Sequence, residues 1–579
     1  MNRRASIIFI SILALALGLR LFLCALPTET LMGPSLFDDS FIGLKMSQNM
    51  ARGIWISWDG QAKTNALTNP GFLLLMAPIY RAFPGRPDLC LHLVICVSAL
   101  ADALTLILLY RFVSFLAGRR AGLLASLLWA FNPYVISFVL SGSEHAFESL
   151  GFIACVSYYV RTIKLGDKRT AGRFLLLGLM LGATAMFRVS LLFLFIFTAL
   201  DAFCDPLRRG RPSAPLPRAV LRIAAMTAGF AAVLSPWIFY SYREFGTIVP
   251  HNAGLISYYN HNLYMLSHPG ALNWLQAEAR FILNAFNIWF EVIGLGHLPL
   301  AIPYPQHVLG PVDFSDLVMA FRVALIFIGG AALFSAARRR PRGGPPLPRL
   351  GFAFAAAFFL ALYYGGVQWK LDKRYFIEAI LLFAVAAPVL AVRAVDAVWD
   401  GRRARTVVSC AAGLLILLNY APLGLQVWQK GAEPLGAYSI NHRSMLKGAM
   451  WLNRNLPPGA VIGAFNPGIY GYYVRNPVVD LVGIANRGAW DAARKRRLLD
   501  YIWEKRVEYI MDFYTCLDFF YTPYLTGGSY GYWKFIVEGP LFAKGPITGI
   551  HLYIVKGPDG SWNGLPIEEL HRRAARDSF

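Results

Sequence analysis

The stretch Pro34-Ser35-Leu36-Phe37-Asp38-Asp39-Ser40-Phe41 follows the first long apolar segment and opens a helix-like run that ends at Gly53. It places two adjacent carboxylates, Asp38 and Asp39, just outside a predicted membrane. A charge beside hydrocarbon is costly unless it serves a wet site or caps a helix. The pair is therefore the first functional candidate, and the alternative is that Asp38 is only the N-cap of a helix from Asp39 to Arg52.

The composition of the whole chain indicates an integral membrane protein. Of 579 residues, 56% are hydrophobic and 15% are charged, and the mean hydropathy is +0.47. Such a chain has lipid as the solvent of most of its surface. The net charge of +22 lies largely in short loops between apolar segments, as the positive-inside rule requires. We therefore attribute the charge to topology and expect the lipid bilayer, and no nucleic acid, as a partner.

Basic clusters between the apolar segments predict the topology. Clusters at Arg119, Lys168, Arg208, Arg338 and Arg402 all fall on one side, which we assign to the cytoplasm. The segment Ile7 to Ala25 is long and lacks a convincing cleavage site, so it is predicted to be a retained helix with a cytoplasmic N-terminus. The pattern gives about eleven spans and an extracytoplasmic C-terminus. The predicted location is the cytoplasmic (inner) membrane.

Two domains are predicted. Residues 1–428 form a transmembrane bundle with long outer loops at 26–88 and 242–316, and residues 435–579 form a soluble extracytoplasmic α/β domain. Within the second domain, strands are predicted at 460–465, 477–482, 507–513 and 552–555. Helices are predicted at 445–456 and 490–506. The predicted fold class is an α-helical polytopic membrane protein with a C-terminal α/β domain.

The apolar segment Phe174 to Phe203 has basic clusters on both sides, so both of its ends are predicted to be cytoplasmic. Two short helices meeting near Arg188 satisfy this pattern and bring Arg188 to the outer level. An arginine there either contacts an anion or neutralises a buried carboxylate, and the sequence leaves both readings open.

Several outer loops are predicted to converge on one face. The first carries Asp38, Asp39 and Asn69, the second carries Glu144, and the third carries Lys370, Lys373, Arg374 and Tyr375. A carboxylate can remove the proton of an acceptor hydroxyl, and cations at the membrane surface can hold the phosphate of a lipid-linked leaving group. The spacing of His251, His261 and His268 fits no usual metal-ligand pattern, so no metal site is predicted. The sequence contains neither a P-loop nor a dinucleotide-binding fingerprint.

Four motifs resemble those of GT-C glycosyltransferases. The runs Asp38-Asp39-Ser40-Phe41 to Arg52-Gly53 and Thr64 to Pro70 are similar to the first-loop signature. Ser235-Pro236-Trp237 with Phe245-Gly246 resembles the mid-chain motif. Lys373-Arg374-Tyr375 resembles the late Arg-Tyr position, and Val478 to Asn486 resembles the outer-domain signature. The nearest groups are bacterial dolichyl-phosphate-mannose-protein mannosyltransferase-like and arabinofuranosyltransferase-like enzymes.

The resemblance implies an inverting transfer of a sugar from a polyprenyl phosphate to a hydroxyl of a glycan, lipid or protein on the outer side of the membrane. It makes Asp38 the favoured base and Asp39 its partner or a helix cap. Candidates for substrate binding are Asn69, Glu144, Arg188, Arg243, Lys370, Lys373, Arg374 and Tyr375. The usual Arg-Asn after Pro-Trp is absent, which weakens the assignment of Arg243. Dependence on a divalent cation, Mg or Mn, varies within the fold and is left open.

The alternatives to a transferase are a transporter or flippase and a structural subunit. A transporter or flippase of lipid-linked sugars would be expected to show internal repeats, broken helices at the bilayer midplane and polar residues within its spans. Here the charged residues are predicted to concentrate at one surface. A structural subunit that anchors the outer domain would leave the outer cationic cluster unexplained. The transferase is therefore the preferred prediction.

Overall fold

A computed structural model defines the architecture. It describes residues 3–166, 170–208, 216–259, 262, 271–293, 347–367, 372–398, 401–430, 438–513, 516, 521–525, 537–538, 550–558, 561 and 564–576. These residues form a helical bundle followed by a small mixed sheet with its own helices. The buried apolar residues of the bundle form one continuous core with buried residues of the sheet domain, including those of its first helices and its first strand.

Most of the described chain is helical. The helices are α1 (Arg3–Cys24), α2 (Asp38–Ala51), α3 (Pro70–Ala82), α4 (Pro87–Ala117), α5 (Arg119–Ala130), α6 (Pro133–Val139), α7 (His145–Tyr158), α8 (Ala171–Phe187), α9 (Leu192–Arg208), α10 (Leu216–Phe245), α11 (Ala271–Val292), α12 (Gly351–Leu362), α13 (Ile377–Val398), α14 (Arg402–Lys430), α15 (Tyr438–Asn455), α16 (Pro467–Tyr473), α17 (Arg487–Arg494), α18 (Leu498–Glu504) and α19 (Ile567–Arg576).

Five of the described helices are long and apolar enough to cross a membrane, or six if one bent pair counts as a single span. These findings confirm a multi-pass membrane protein. The predicted count of about eleven is not confirmed. One of the predicted spans, residues 317–336, lies outside the described residues.

The predicted span from Ala121 to Leu140 is not one straight helix. Helices α5 and α6 meet at an angle of 62° at Asn132 and Pro133. A proline lacks the backbone N–H that a continuous helix needs, and it is favoured at the first position of a new one. The side chain of Asn132 accepts hydrogen bonds from the N–H groups of Tyr134 and Val135 at 2.9 and 3.3 Å, so it caps the second helix.

The predicted pair of short helices around Arg188 is present. Helix α8 ends at Phe187, Val189–Leu191 forms a 3₁₀ turn, and α9 begins at Leu192. The N–H of Val189 donates a hydrogen bond to the carbonyl of Thr68 at 3.0 Å. The turn is thereby joined to the first outer loop, and Arg188 lies at the same end of the bundle as Asp38.

The second domain contains a five-stranded sheet. Its strands are β1 (Ile462–Ala464), β2 (Val478–Asp480), β3 (Tyr509–Phe513), β4 (Val537–Glu538) and β5 (Ile550–Val555), in the order β2-β1-β3-β5-β4. Strand β1 runs parallel to β2 and β3, whereas β5 is antiparallel to both β3 and β4. The four predicted strands are therefore confirmed in place, with ends that differ by a few residues, and the helix predicted at 445–456 is confirmed but begins seven residues earlier, at Tyr438.

Two features of this domain differ from the prediction. The helix expected at 490–506 is two short helices, α17 and α18, separated at Arg496, whose φ of 55° lies in the left-handed region and cannot continue a helix. Helix α16, between β1 and β2, was not predicted. It is seven residues long, all of them buried, and it contains two glycines, so neither length nor hydrophobic periodicity indicates a helix.

Charged residues also occur inside the bundle, contrary to the expectation that they concentrate at one surface. Arg20 of α1 forms an ion pair with Asp102 of α4 at 2.5 Å, and both side chains are almost fully buried. The indole of Trp129 donates to the same carboxylate at 2.8 Å. A second buried pair joins Lys164 to Asp201 at 2.7 Å. Because each charge has an opposite partner, these pairs tie helices together.

Candidate active site

The two adjacent carboxylates of the first outer loop lie in different environments. Helix α2 begins at Asp38, and Phe37 occupies the cap position with extended backbone and no side-chain cap. Asp38 is therefore not the N-cap that the alternative reading required. Asp38 is 6% exposed, whereas the side chain of Asp39 is 45% exposed. Successive helical residues point about 100° apart, so one carboxylate turns into the protein and the other turns outward.

The buried carboxylate of Asp38 contacts the second domain. It accepts hydrogen bonds from the backbone N–H of Gly468 at 3.1 Å and of Ile469 at 2.7 Å. Both groups lie in the first turn of α16, where backbone N–H groups lack partners within the helix. Burial raises the pKa of Asp38 to about 8, although the two N–H donors act in the opposite direction.

The exposed carboxylate of Asp39 contacts the third outer loop. It forms an ion pair with Arg374. The same guanidinium lies 3.2 Å from the carboxylate of Asp372 and is 9% exposed. The structure therefore brings the predicted carboxylate pair and the predicted cationic loop together, as the convergence of the outer loops required.

Arg188 lies at the turn between α8 and α9 and is buried. Its Nη1 donates to both carboxylate oxygens of Glu148 at 2.8 Å, and its Nε donates to the hydroxyl of Tyr364 at 3.1 Å. Its Nη2 is buried and has no hydrogen-bond partner among the described residues. Of the two readings of Arg188, neutralisation of a buried carboxylate is thus observed, and among the described residues both N–H bonds of Nη2 have no acceptor.

Both arginines of the site lie close to the ring of Tyr375. The guanidinium carbon of Arg188 is 4.6 Å from the centre of the Tyr375 ring, and that of Arg374 is 5.3 Å from it. Guanidinium groups at these distances are attracted by the electron-rich face of the ring. Tyr375 therefore attracts both cations, and the predicted Arg-Tyr pair lies beside Arg188.

Asn69 and Glu144 also meet at this end of the bundle. The amide of Asn69 donates to a carboxylate oxygen of Glu144 at 2.6 Å, and Glu144 is 8% exposed. The next residue, His145, lies 3.1 Å from Glu148 through its Nδ1. These contacts connect the first and second outer loops to Arg188.

Two of the predicted cations, Lys373 and Arg243, are not part of this cluster, and a third lies outside the described residues. Lys373 is buried and forms an ion pair with Glu291 of α11 at 2.5 Å. It also donates a hydrogen bond to the hydroxyl of Tyr134 at 3.3 Å. Arg243 is exposed in the last turn of α10, and no hydrogen bond or ion pair among the described residues joins it to the cluster. Lys370 lies outside the described residues.

Several residues of the site were not predicted from the sequence. Glu148 and Glu378 are buried beside Arg188, and Glu148 is four residues after Glu144. Residues at this spacing share a helix face, so the sequence did contain a signal for Glu148. No local signal indicated the backbone of Gly468 and Ile469, because those groups meet Asp38 only through the fold.

Among the described residues, no group of three His, Cys, Asp or Glu side chains is arranged to hold a metal ion. His251, the one described member of the predicted histidine triplet, has its Nδ1 3.1 Å from the side-chain oxygen of Asn65. His261 and His268 lie outside the described residues.

A family model described as dolichyl-phosphate-mannose-protein mannosyltransferase matches residues 91–259, and a model for a domain of unknown function matches residues 437–545. A search of curated protein sequences finds no match.

Solved structures resemble the whole chain at low sequence identity. The oligosaccharyltransferase of Archaeoglobus fulgidus, tethered with an acceptor peptide, is 14% identical with a TM-score of 0.52, over 92% of this chain and 72% of that chain. AglB from the same organism, in complex with an inhibitory peptide and a dolichol-phosphate, is 13% identical with a TM-score of 0.50, over 91% and 72%. ArnT from Cupriavidus metallidurans, bound to undecaprenyl phosphate, is 12% identical with a TM-score of 0.47, over 89% and 94%.

The likeness to the oligosaccharyltransferase structures shows the fold, and the mannosyltransferase family model matches the part of the bundle from residue 91 to 259. The chain is therefore a multi-pass membrane protein with the fold of GT-C glycosyltransferases. The resemblance predicted from the four sequence motifs is confirmed.

Proposed function

We propose that this protein transfers a sugar from a polyprenyl-phosphate donor to an acceptor hydroxyl on the outer face of the cytoplasmic membrane. The ion pair between Asp39 and Arg374 carries this proposal, because it sets an accessible carboxylate beside a cation at the ends of the membrane helices. The family model and the oligosaccharyltransferase solved with a dolichol-phosphate and a peptide support a lipid-phosphate donor. The acceptor is a glycan, a lipid or a protein.

The chemistry assigned to the site is a single displacement. A carboxylate of the Asp38–Asp39 pair takes the proton of the acceptor hydroxyl as its oxygen bonds to the anomeric carbon of the sugar. The bond from that carbon to the phosphate oxygen breaks, and the polyprenyl phosphate leaves with the electron pair. One displacement inverts the configuration at the anomeric carbon.

We assign the base to Asp39, although the resemblance favoured Asp38. A base must touch the acceptor hydroxyl, and only Asp39 is open to solvent. Asp38 is covered by the backbone of Gly468 and Ile469. Asp38 is thus a positioning residue, which holds the second domain against the helix that bears Asp39.

Arg374 and Arg188 are proposed to hold the donor phosphate. Arginine binds phosphate through two parallel N–H groups, and both guanidiniums lie against Tyr375. The unpartnered Nη2 of Arg188 supports its role. Lys370 is proposed to join them, whereas Lys373 orders the loop through Glu291.

Transfer by the purified protein tests the proposal. The protein in nanodiscs would be mixed with a panel of polyprenyl-phosphate sugars and with glycan, lipid and peptide acceptors, and release of polyprenyl phosphate would be measured. We expect the wild-type protein to release polyprenyl phosphate with one of the donors, and we expect the Asp39→Asn variant to have lost this release. Comparison of the cell's glycolipids and glycans with and without the protein, by mass spectrometry, would identify the sugar and the acceptor. No release with any donor, and unchanged glycans, would contradict the proposal.

A further inference from the structure

A cavity of about 190 Å³ lies at the far end of α2 from the carboxylate pair. It is enclosed by the C-terminal turns of α2 and α3 and by the loop from Phe83 to Arg86 that leads into α4. Helix α2 has 14 residues, so the cavity is about 20 Å from Asp38 along the helix axis. The cavity is therefore separate from the site described above.

Arginines dominate the rim of this cavity. Arg52, Arg81 and Arg86 reach it from three different segments, and Gln48 adds an amide. The described residues that line the cavity include no aspartate or glutamate. No ion pair or side-chain hydrogen bond among the described residues engages the three guanidiniums. Three cations without a carboxylate form a site of positive potential.

A fourth cation lies nearby on the same face of α2. Lys45 precedes Gln48 by three residues, and Gln48 precedes Arg52 by four, which places the three in one row along the helix. Burial, followed by the charge of Arg52, lowers the pKa of Lys45 to about 8. A bound anion would offset the repulsion between these cations.

The side of the membrane on which the cavity lies also argues against an ordinary membrane-anchoring role for its three arginines. The pattern of basic loops places this end of α4 on the outer side of the membrane, where the positive-inside bias gives no reason for three arginines. The wall of the cavity is built from buried groups. Tyr80 is 4% exposed and its hydroxyl lies 3.0 Å from that of Tyr472, which donates to the carbonyl of Pro87 at 2.8 Å.

We propose that this cavity binds the phosphate group of an anionic headgroup or of a soluble phosphate. Arginine is the side chain best suited to phosphate because its planar fork matches two phosphate oxygens. The wall formed by Tyr80 and Pro87 contacts α16 through Tyr472, so the site lies against the same helix that meets Asp38. Its occupant is a second anion, distinct from the donor phosphate at Arg374.

Binding to two probes tests the site without any use of transfer activity. Inorganic phosphate would be titrated into the detergent-purified protein by calorimetry. Separately, the protein in nanodiscs of phosphatidylcholine with or without phosphatidylglycerol would be analysed by native mass spectrometry for retained lipid. The double variant Arg81→Gln/Arg86→Gln is expected to weaken binding about tenfold or more, because two charge-assisted hydrogen bonds are lost.

The matched control is Arg487→Gln/Arg497→Gln, which removes the same charge from exposed positions of the second domain. These side chains are 58% and 69% exposed and form only surface ion pairs. If the cavity variant, but not the control variant, loses binding of inorganic phosphate, the result supports a site for soluble phosphate. If the cavity variant, but not the control variant, loses retained phosphatidylglycerol, the result supports a site for a lipid headgroup. Equal binding by wild type and cavity variant in both arms would overturn the proposal. If the double variant fails to fold, Gln48→Glu replaces it, since a carboxylate in the cavity repels the same ligands.

Discussion

The carboxylate of Asp38 lies 2.7 Å from the backbone nitrogen of Ile469, a residue 431 positions later in the chain. This hydrogen bond joins the first outer loop of the membrane bundle to the first turn of α16 in the second domain. Asp39, the next residue, pairs with Arg374 of the bundle itself. The two adjacent carboxylates therefore have separate tasks, and variants at the two positions should give different results.

Asp39→Asn is expected to abolish transfer and leave the melting temperature nearly unchanged, because an amide has the shape of a carboxylate but cannot take the acceptor proton. Asp38→Asn is expected to lower the melting temperature. Its amide can accept from only one of the two N–H groups, so the other N–H is left buried without an acceptor at a cost of about 1 to 3 kcal/mol. Initial rates and thermal unfolding of both variants separate the roles. A fully active Asp39→Asn beside an inactive, stable Asp38→Asn would move the base to Asp38.

Stability should depend on pH through Asp38. Its pKa is raised by burial from 3.8 to about 8, so between these values the folded state holds a proton that the unfolded state has released. Stability therefore falls as the pH rises through this window, with a slope of up to about 1.4 kcal/mol per pH unit. Melting temperatures from pH 5 to 8 would be compared between wild type and Asp38→Asn. The variant lacks the titrating group, so parallel curves would contradict this prediction.

Gly468→Ala should separate the two domains locally. A Cβ at this position would collide with the backbone carbonyl of Asp38, and backbone atoms cannot move aside cheaply. Faster hydrogen exchange is expected in both α2 and α16, measured by mass spectrometry of their peptides. Gly18→Ala is the control, since nothing lies within 4 Å of its added Cβ. Equal exchange in the two variants would show that the close approach is unimportant.

Arg374→Lys should lower the rate of transfer about tenfold or more, because the ammonium keeps the charge but lacks the fork that binds two phosphate oxygens. Arg374→Ala should be at least as damaging. The conservative change Arg497→Lys on the exposed surface of the second domain is the matched control and should be silent. A wild-type rate in Arg374→Ala would reject the assignment of this residue to the donor phosphate.

The topology prediction can be tested with reporters. Alkaline phosphatase fused after Phe579 should be active, because it folds only outside the cytoplasm, and green fluorescent protein at the same position should be dark. This follows from the basic clusters, which lie on one side of the predicted spans. The opposite result would place the carboxylate pair on the cytoplasmic side and reverse the assignment of the outer loops.

The sequence by itself determined the class of the protein and the chemistry of its loops. Hydropathy and basic clusters follow from the cost of moving charges into hydrocarbon, which acts on each segment independently, so a membrane bundle and the turn at Arg188 could be predicted. Most strands of the second domain could be predicted from short apolar runs. The Asp38–Asp39 pair and the Arg374-Tyr375 pair were also recognisable locally. Glu148 could have been found from its spacing to Glu144.

Only the tertiary structure decided which partner each charged group has. The ion pair of Asp39 with Arg374, the pairing of Lys373 with Glu291, and the contact of Asp38 with α16 each join segments that are distant in the chain. Electrostatic partners depend on distance and burial in space, which no local pattern encodes. For the same reason Asp38 and Asp39, which look equivalent in the sequence, differ in the fold, where one is enclosed by a second domain and the other is left open.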